Sequence, residues 1–556
     1  MLVVSCDGVV KMVVEVLKGC KILRHDDRVT VAEVSPERAR EIAKGLFNAG
    51  CYYSCGMGVD ERPVNMRFAM YHVFNCEAER RHVILKLTTP TNELTLPSIT
   101  PVIEGASWSE REAMDMLGII FDGHPEPERL ILPEDWPEGV YPLRKDFPYN
   151  KKLPPAKPKE GRKKPRPDII EVPLGPYHPT LHEPEYFELY VKGDKIVDAK
   201  YRGFHIHRGM EKLAESRMTL NQVPFLAERI CGICGCTHST AYCQAVEDAA
   251  GIYVPERARY IRTIMLEIER LHSHLLWFGV ACHLLGFDSG FMHLWRAREY
   301  IMDIAELITG NRKTYGINII GGVRRDIPEK KKRKVLELLD LAEKDSREIL
   351  DNVVKMGELK ERMENVGVLP KKKGREIGVV GPVARASGID TDVRRDHPYA
   401  AYGDLDFEVP VYKGEDVFSR FLVRYDETFQ SFNMIRQALD NMPEGELINE
   451  NYEIPHFKLG LGVTEAPRGE DVHVVITWGE NKVYRWHPRA STYNNLPAIP
   501  IMLRGNDIAD APIIIASIDP CFSCTDHVSI IDSENGRVLW RGSLEEGIRR
   551  VGNGKA

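Results

Sequence analysis

The pattern of hydrophobic and polar positions divides the chain into a strand-rich first part and a helix-rich second part. In the first part, short apolar stretches predict strands at residues 13–17 and 82–87, and residues 36–48 predict a helix. Further on, apolar residues recur at helical spacing over residues 255–285, 291–309, 328–356 and 415–441. The pattern therefore predicts an α+β protein with a small N-terminal α+β domain and a mainly helical second domain.

Strand patterns flank the helices of the second domain and predict peripheral sheets. They cover residues 169–201 and much of the chain after residue 457, and the last predicted strand, residues 512–518, leads into a cysteine pair. A basic, proline-rich segment between the two domains predicts a solvated linker. The pattern predicts a first domain at residues 1–150, a linker at 151–167 and a second domain that begins at residue 168. We take this second domain as residues 168–527 and residues 528–556 as a C-terminal extension, a boundary that rests on the family resemblance given below.

Composition narrows the class of protein without identifying its chemistry. The net charge of -7 gives no sign of a nucleic-acid-binding surface, and 43% hydrophobic residues is ordinary for a globular protein. The longest nearly uncharged stretch, residues 271–287, contains three histidines and is short for a membrane span, so it predicts a buried core helix. Twelve cysteines without a secretory signal fit a reducing compartment, and a cytoplasmic protein is expected.

Two C-x-x-C pairs, far apart in the sequence, supply the main chemical signal. Cys231 and Cys234 form the first pair, and Cys521 and Cys524 form the second. Four thiolates brought together can bind one metal centre, because thiolate is the soft ligand that nickel, zinc and iron clusters accept. Spacing alone leaves a structural zinc site and an iron-sulfur cluster both open.

The residues around these cysteines indicate a narrower class. The first pair reads R-x-C-G-x-C-x-x-x-H and the second reads D-P-C-x-x-C-x-x-H. Together they resemble the two metal-binding ends of the large subunit of NiFe hydrogenases. The resemblance implies that Cys231 and Cys521 are terminal nickel ligands. It also implies that Cys234 and Cys524 bridge nickel to an iron atom that carries cyanide and carbon monoxide.

Three shorter motifs carry other residues to which the resemblance assigns roles. Glu183, in G-P-Y-H-P-T-L-H-E-P, would relay the proton that hydrogen cleavage releases, since burial moves a carboxyl pKa toward the working range. Arg468 and Pro467, in E-A-P-R-G-E, would cover the metal site with a guanidinium that does not titrate. Ser491, in A-S-T-Y-N, would donate to a cyanide ligand. The plainer alternatives are a surface carboxylate for Glu183 and a turn-capping hydroxyl for Ser491.

Further assignments concern the surroundings of the metal site. The resemblance implies that Glu211, in R-G-x-E, shares a structural magnesium or iron site with His527. The same R-G-M-E wording also matches a complex I relative, so an architectural role for Glu211 stays open. His238 is expected to orient the cysteine loop through a hydrogen bond. The remaining candidate cysteines are expected to be buried or idle thiols: Cys51, Cys55, Cys236 and Cys243.

A second resemblance covers residues 107–148. Ser107 and Glu110 have the spacing of a capping box for a short helix ending at Leu117, and a proline-rich extended strap follows. The wordings W-S-E-R-E, D-M-L-G-I, F-D-G-H-P and P-L-R-K-D-F-P closely resemble the signature of the 30-kDa subunit of respiratory complex I. This implies an assembly domain, so a docking role and no catalytic role is expected here.

The two resemblances cover nearly the whole chain and imply a hydrogenase large subunit of the formate hydrogenlyase and energy-converting type. Protons would be reduced reversibly to hydrogen, with electrons from a hydrogenase small subunit that holds an iron-sulfur cluster and from ferredoxin-like iron-sulfur subunits. Membrane subunits would attach the complex to the inner face of the cell membrane. After nickel loading, a maturation protease would remove residues 528–556, in which Asn535 and Gly536 predict a hairpin turn before a short helix.

Two other functions are compatible with parts of the sequence. A fused 30-kDa/49-kDa subunit of complex I would line a quinone pocket without a metal, but it would have no use for the four cysteines. A non-enzymatic assembly subunit with structural zinc would explain the cysteines. It would leave Glu183, Arg468 and the residues flanking both pairs unexplained.

Overall fold

The structure, a computed structural model, describes residues 13–133, 136–151, 168–176, 178, 181, 183–204 and 207–521, and the backbone of 529–531 and 538–541. It shows an α+β protein with a small N-terminal sheet domain and a larger, mainly helical domain, as predicted. The predicted linker and two predicted metal ligands, Cys524 and His527, lie outside the described residues.

The N-terminal domain is built on a mixed five-stranded sheet. In chain order its strands are Lys21–His25, Val29–Glu33, Tyr52–Asp60, Arg67–Cys76 and Arg81–Pro90, and in space they follow the order 1-2-5-4-3. The second and fifth strands are parallel, and the other pairs are antiparallel. Met70 and Phe74 pack with the domain's own helices, whereas Met57 and Tyr71 pack into the core of the large domain. Both faces of the sheet are therefore buried, which explains its continuous apolar runs.

Two local predictions in the N-terminal domain are wrong. Residues 13–16 are helical rather than extended, and Val13 and Leu17 are both buried at a spacing of one helical turn. The capping box does not form, because a 3-10 turn precedes Ser107 and the helix Ser107–Leu117 includes it. The carboxylate of Glu110 instead accepts hydrogen bonds from the backbone N–H of Ile99 at 2.7 Å and from neighbouring hydroxyls.

The other N-terminal predictions are correct in kind. The predicted helix at residues 36–48 is a 3-10 turn followed by the helix Ala39–Asn48, and residues 82–87 lie within a strand. A short helix, Arg62–Asn65, and a parallel pair of short strands, Thr95–Pro97 and Ile120–Asp122, complete the domain. The described part of the proline-rich segment after residue 122 has no helix or strand, as expected for a strap.

Helices form most of the large domain, and the four long helices predicted from periodicity are all present. Among the described residues no helix is both long and apolar enough to cross a membrane. The helices are Met210–Arg217, Val223–Ala227, Gly235–Ala250, Glu256–Leu284, Asp288–Thr309, Glu329–Lys355, Gly357–Glu361, Lys371–Ile377, Gly381–Ala386, Val393–Asp396, Val417–Asn441, Ser491–Asn495, Ile499–Leu503 and Ala511–Ser517.

Peripheral sheets flank these helices, as predicted. Their strands are Ile170–Leu174, Tyr186–Lys192 and Lys195–Arg202 in one sheet, and His456–Ala466, Gly469–Gly479 and Lys482–Arg489 in another, with small pairs at Asn318–Ile319 and Gly322–Val323 and at Ser529–Ile531 and Val538–Arg541. The last pair is antiparallel and supplies the two strands of the predicted C-terminal hairpin. The predicted turn at Asn535 and Gly536 and the short helix after it lie outside the described residues. The predicted strand at residues 512–518 is wrong, because Ala511–Ser517 is a buried helix with Pro512 in its first turn. An apolar run buried on all sides has no periodicity that separates helix from strand.

The four cysteines predicted to be buried or idle thiols differ in their bonding. Tyr52 and Asn75 are opposite each other in neighbouring strands, so the flanking Cys51 and Cys76 meet and form a disulfide with a Cα–Cα distance of 4.2 Å. The prediction of a free thiol at Cys51 is therefore wrong, because the sequence does not show this strand register. Cys55, Cys236 and Cys243 are buried free thiols, as expected.

Candidate metal centre

Three of the four predicted sulfur ligands meet in a buried cluster. The Sγ atom of Cys231 lies 2.7 Å from the Sγ atom of Cys521, and neither residue forms a disulfide. Cys234 belongs to the same cluster, which packs against Ile233. Its backbone N–H points at the Sγ atom of Cys231 at 3.2 Å. Cys231 and Cys521 are 290 positions apart, so the fold places the two cysteine segments side by side.

The position of Cys234 is fixed by the start of the helix Gly235–Ala250, of which it is the N-cap residue. Its own side chain does not cap the helix. The carboxylate of Glu269 does so instead, accepting hydrogen bonds from the N–H groups of Cys236 at 2.7 Å and Thr237 at 2.9 Å. A carboxylate at this end of a helix also interacts favourably with the helix dipole. No sequence motif marks Glu269, because its partners lie on another segment.

Arg468 lies against the sulfur cluster and is fully buried. Its Nη1 atom is 2.9 Å from the Sγ atom of Cys234 and donates to the hydroxyl of Ser273 at 3.1 Å. Its Nε atom donates to the carbonyl of Asp519 at 2.5 Å, and Nη2 donates to the carboxylate of the same residue at 2.8 Å. Although burial opposes the charge, Asp519 and the thiols raise the pKa of Arg468 well above its usual range. The guanidinium is therefore a fixed positive charge beside the sulfurs.

Pro467 and Ser491, two further residues that the resemblance assigns to the metal site, are both buried. Pro467 and Arg468 are the two turn residues between paired strands that end at Ala466 and begin at Gly469. The helix Ser491–Asn495 has no side-chain cap, so the structure does not support a capping role for Ser491. Its neighbour Thr492, which sequence reasoning missed, accepts a hydrogen bond from the N–H of Cys521 at 3.2 Å.

Glu183 is partly buried in the loop between the strands Ile170–Leu174 and Tyr186–Lys192. This partial exposure leaves the plainer alternative, a surface carboxylate, open. Glu185, two residues later, is fully buried. The relay role of Glu183 stays a prediction.

Glu211 lies in a cavity of about 70 Å³ between the two domains, which Glu112 and His487 also line. The carboxylate of Glu211 accepts hydrogen bonds from Arg485 at 2.8 Å and pairs with Nδ1 of His487 at 2.8 Å. Although burial opposes it, the charges of Arg485 and His487 lower the pKa of Glu211 to about 2. Ligand atoms of Glu112, Glu211 and His487 lie within 4.8 Å of one another. This donor set could hold a metal ion, and the pairing with Arg485 and His487 equally fits an architectural role for Glu211. Both roles stay predictions, and the predicted partner His527 lies outside the described residues.

His238 lies in a buried group with Asp471 and His473. Its Nδ1 atom is 3.1 Å from Nε2 of His473 and 3.1 Å from a carboxylate oxygen of Asp471. Trp486 directs its indole N–H at Nδ1 of His473, and indole can only donate, so His473 carries its proton on Nε2. The backbone N–H of His238 donates to the carbonyl of Cys234 at 3.2 Å, as expected at the start of a helix. The predicted role of His238 in orienting the cysteine loop stays a prediction.

The donor set of the cluster fits a metal centre. The contact with Cys231, followed by burial, raises the pKa of the Cys234 thiol well above its usual range. Buried thiols of this kind become thiolates when a cation binds them, because metal binding releases their protons. The charge of Arg468 would further stabilise those thiolates.

Three family models match successive parts of the chain. The family model described as respiratory-chain NADH dehydrogenase, 30 Kd subunit, matches residues 32–153. The model described as nickel-dependent hydrogenase matches residues 208–299. The model described as respiratory-chain NADH dehydrogenase, 49 Kd subunit, matches residues 285–459 and 455–527.

Individual relatives include both hydrogenases and a complex I protein. The chain is 45% identical to formate hydrogenlyase subunit 5 of Escherichia coli over 91% of this chain and 90% of the relative. It is 45% identical to hydrogenase-4 component G of the same organism, over 85% and 84%. An NADH-quinone oxidoreductase subunit of Phocaeicola vulgatus is 34% identical, over 81% and 90%.

A solved structure of the membrane-bound sulfane sulfur reductase, an archaeal respiratory membrane complex, contains a chain with the same fold. That chain is 33% identical, with a TM-score of 0.61, and the match covers 65% of this chain and 98% of that one. The hydrogenase relatives, the nickel-dependent family model and the buried cysteine cluster agree with one another. The chain therefore belongs to the NiFe hydrogenase large subunits of the formate hydrogenlyase and energy-converting type, fused to an N-terminal complex I 30-kDa-like domain.

Proposed function

We propose that this hydrogenase subunit reversibly reduces protons to hydrogen at a nickel-iron centre held by Cys231, Cys234, Cys521 and Cys524. The observation that carries the proposal is the meeting of three buried cysteine sulfurs beside the buried guanidinium of Arg468. When bound, the centre would supply the chemistry that forms and cleaves the bond of hydrogen, with cyanide and carbon monoxide on its iron.

The chain's own residues would complete the site. Arg468 would hold positive charge over the small anionic ligands, because its hydrogen bonds to Asp519 fix its orientation. Its fully buried side chain would also exclude water from the site. Ser491 would donate a hydrogen bond to a cyanide ligand, and Pro467 would line the site. Glu183 would carry protons between the site and solvent. Glu211 and His527 would hold a structural magnesium or iron ion.

Electrons would reach the site from partner subunits. The cysteines outside the two pairs do not form a second cluster within the described part of the chain, since Cys51 and Cys76 form a disulfide and the rest are separate thiols. A small subunit with an iron-sulfur cluster, together with ferredoxin-like subunits, would therefore supply the electrons. One relative, from Pyrococcus furiosus, is a membrane-bound hydrogenase subunit alpha at 42% identity. By this relationship, membrane subunits would attach the complex to the inner face of the cell membrane.

Metal analysis and infrared absorption on the complex purified without oxygen test the proposal. Nickel together with sharp bands in the cyanide and carbon monoxide stretching region is the expected result. Zinc alone would instead indicate the scaffold function. The absence of metal and of hydrogen activity would indicate a quinone-reducing subunit of the complex I type, and either result would overturn the proposal.

A further inference from the structure

The turn that carries Arg468 is held in place from both sides. This turn joins the paired strands His456–Ala466 and Gly469–Gly479. In their register Glu465 is opposite Glu470, so one carboxylate lies on each side of the two turn residues. Both carboxylates are almost completely buried, at 2% and 1% exposed. A buried carboxylate must be paired and hydrogen-bonded, so the partners of these two residues determine where the turn lies.

The large domain holds the Glu465 side. Arg385 donates to the carboxylate of Glu465 at 2.9 Å, and Arg270 donates to its carbonyl at 2.7 Å. Arg270 also donates to the carbonyl of Ala466 at 3.1 Å. These contacts come from helices of the same domain as the cysteines, so this side needs no help from the N-terminal domain.

The N-terminal domain shares the Glu470 side with Arg489 of the large domain. The hydroxyl of Tyr52 donates to the Glu470 carboxylate at 2.8 Å, and the amide of Asn75 donates to the same oxygen at 3.0 Å. The amide of Asn75 also donates to the Tyr52 hydroxyl at 2.7 Å, and its oxygen faces Nε2 of His397 at 2.6 Å. Arg489 donates to the other carboxylate oxygen of Glu470. The two sheet residues and one arginine thus share a single buried carboxylate.

The donors on this side are fixed in their chemical state. Burial, followed by the charge of Glu470, raises the pKa of Tyr52 well above its usual range, so its hydroxyl remains a donor. Tyr52 and Asn75 are paired residues of two neighbouring strands, so the sheet sets the distance between them. The backbone leaves little freedom at the turn, because a Cβ atom at Gly469 would lie 2.5 Å from the backbone nitrogen of Gly381.

We propose that Tyr52 and Asn75 are positioning residues for Arg468, and that the N-terminal domain thereby takes part in the site as well as in assembly. They act through Glu470, which holds one side of the turn while Arg385 and Arg270 hold the other. The functional importance of this positioning rests on the proposed function, whereas the mechanical coupling does not. The coupling can therefore be tested on the chain without its metal.

The variant Tyr52→Phe removes one hydroxyl and keeps the ring. Tyr484→Phe is the matched control, because the Tyr484 hydroxyl also makes a hydrogen bond between the domains, to the carbonyl of Asp60, away from the turn. Hydrogen exchange would be followed by mass spectrometry on peptides covering residues 465–472 of the full, nickel-free chain. Tyr52→Phe should speed exchange there by roughly tenfold, since a hydrogen bond to a buried charge is lost. Tyr484→Phe should leave these peptides unchanged.

Asn75→Leu is a second variant, in which a side chain of similar size lacks the NH2 group that donates to Glu470 and Tyr52. It should speed exchange in the same peptides. Equal exchange at residues 465–472 in Tyr52→Phe, Asn75→Leu and wild type would overturn the coupling. In the nickel-loaded complex, Tyr52→Phe should shift the infrared bands of the diatomic ligands, and Tyr484→Phe should not. Faster exchange with unshifted bands would show that the contact is structural only and would overturn the positioning role. An absence of such bands in wild type would instead contradict the proposed function.

Discussion

The guanidinium of Arg468 lies 2.9 Å from the Sγ atom of Cys234, although the two residues are 234 positions apart. The same side chain binds Asp519, two residues before Cys521. Arg468 therefore connects the two cysteine segments through one planar group. A lysine could not make the same set of contacts, because its single ammonium lacks the fork of donors.

Arg468→Lys should reduce hydrogen turnover by about a hundredfold or more, since it removes a preorganised donor from a buried site. The variant should still contain nickel, because its cysteines are intact. Turnover and metal content would be measured on the same preparation. Arg504→Lys is the control, since Arg504 forms an exposed ion pair with Asp198, and it should keep full activity. Unchanged turnover in Arg468→Lys would contradict the assigned role.

Cys521→Ser should abolish nickel retention, because a hydroxyl is a poor ligand for a soft metal site and the Sγ atom lies in the sulfur cluster. Metal content of the purified subunit measures this directly. Cys243→Ala is the control, since Cys243 is a fully buried thiol outside the cluster, and it should retain nickel. Nickel at the wild-type level in Cys521→Ser would remove this residue from the ligand set.

Glu269→Gln should destabilise the start of the helix that carries Cys234. The carboxylate accepts four hydrogen bonds, from Cys236, from two groups of Thr237 and from Thr314. Glutamine replaces one accepting oxygen by an NH2 group, which would face the N–H and hydroxyl donors without accepting from them. We expect a loss of about 3 kcal/mol in unfolding free energy. Urea unfolding would measure it. Glu337→Gln, at an exposed ion pair, should change the unfolding free energy very little.

His72 should make the N-terminal domain sensitive to acid. Its ring is fully buried, and burial lowers its pKa from the usual 6.5 to about 3. The unfolded chain therefore binds a proton that the folded chain does not, so stability is fully present above pH 6.5 and falls as the pH drops toward 3. Between pH 7 and pH 5 the contribution of His72 amounts to about 2 kcal/mol.

The variant His72→Asn tests this, because the asparagine oxygen can replace Nδ1 as the partner of the Tyr53 hydroxyl. Its free energy of unfolding, from urea titrations at pH 7 and pH 5, should fall less between these pH values than that of the wild type. The same decrease in both proteins would show that His72 does not contribute.

Residues 528–556 should be absent from the mature enzyme. Their removal after nickel loading would allow the second cysteine segment to close over the site. Intact-mass measurement of active enzyme should give the mass of residues 1–527, whereas the chain made without nickel should keep its full 63.2 kDa. Active enzyme that still has the full mass would contradict the prediction that residues 528–556 are removed during maturation.

The sequence by itself determined the long helices and the fold class, and it singled out the two cysteine pairs as candidate metal ligands. These features are carried by local patterns, since helical periodicity and motif spacing need no knowledge of distant segments. The same local reasoning gave the wrong element at residues 512–518, because a run buried on all sides has no polar face. It also missed the Cys51–Cys76 disulfide, which depends on the register of two strands.

The tertiary structure decided how the site is held together. Glu269 caps a helix from a distant segment, and Thr492 binds the backbone of Cys521. Tyr52 and Asn75 reach Glu470 from another domain. A buried charge requires partners wherever the fold can supply them, and no local spacing records which distant residues those are.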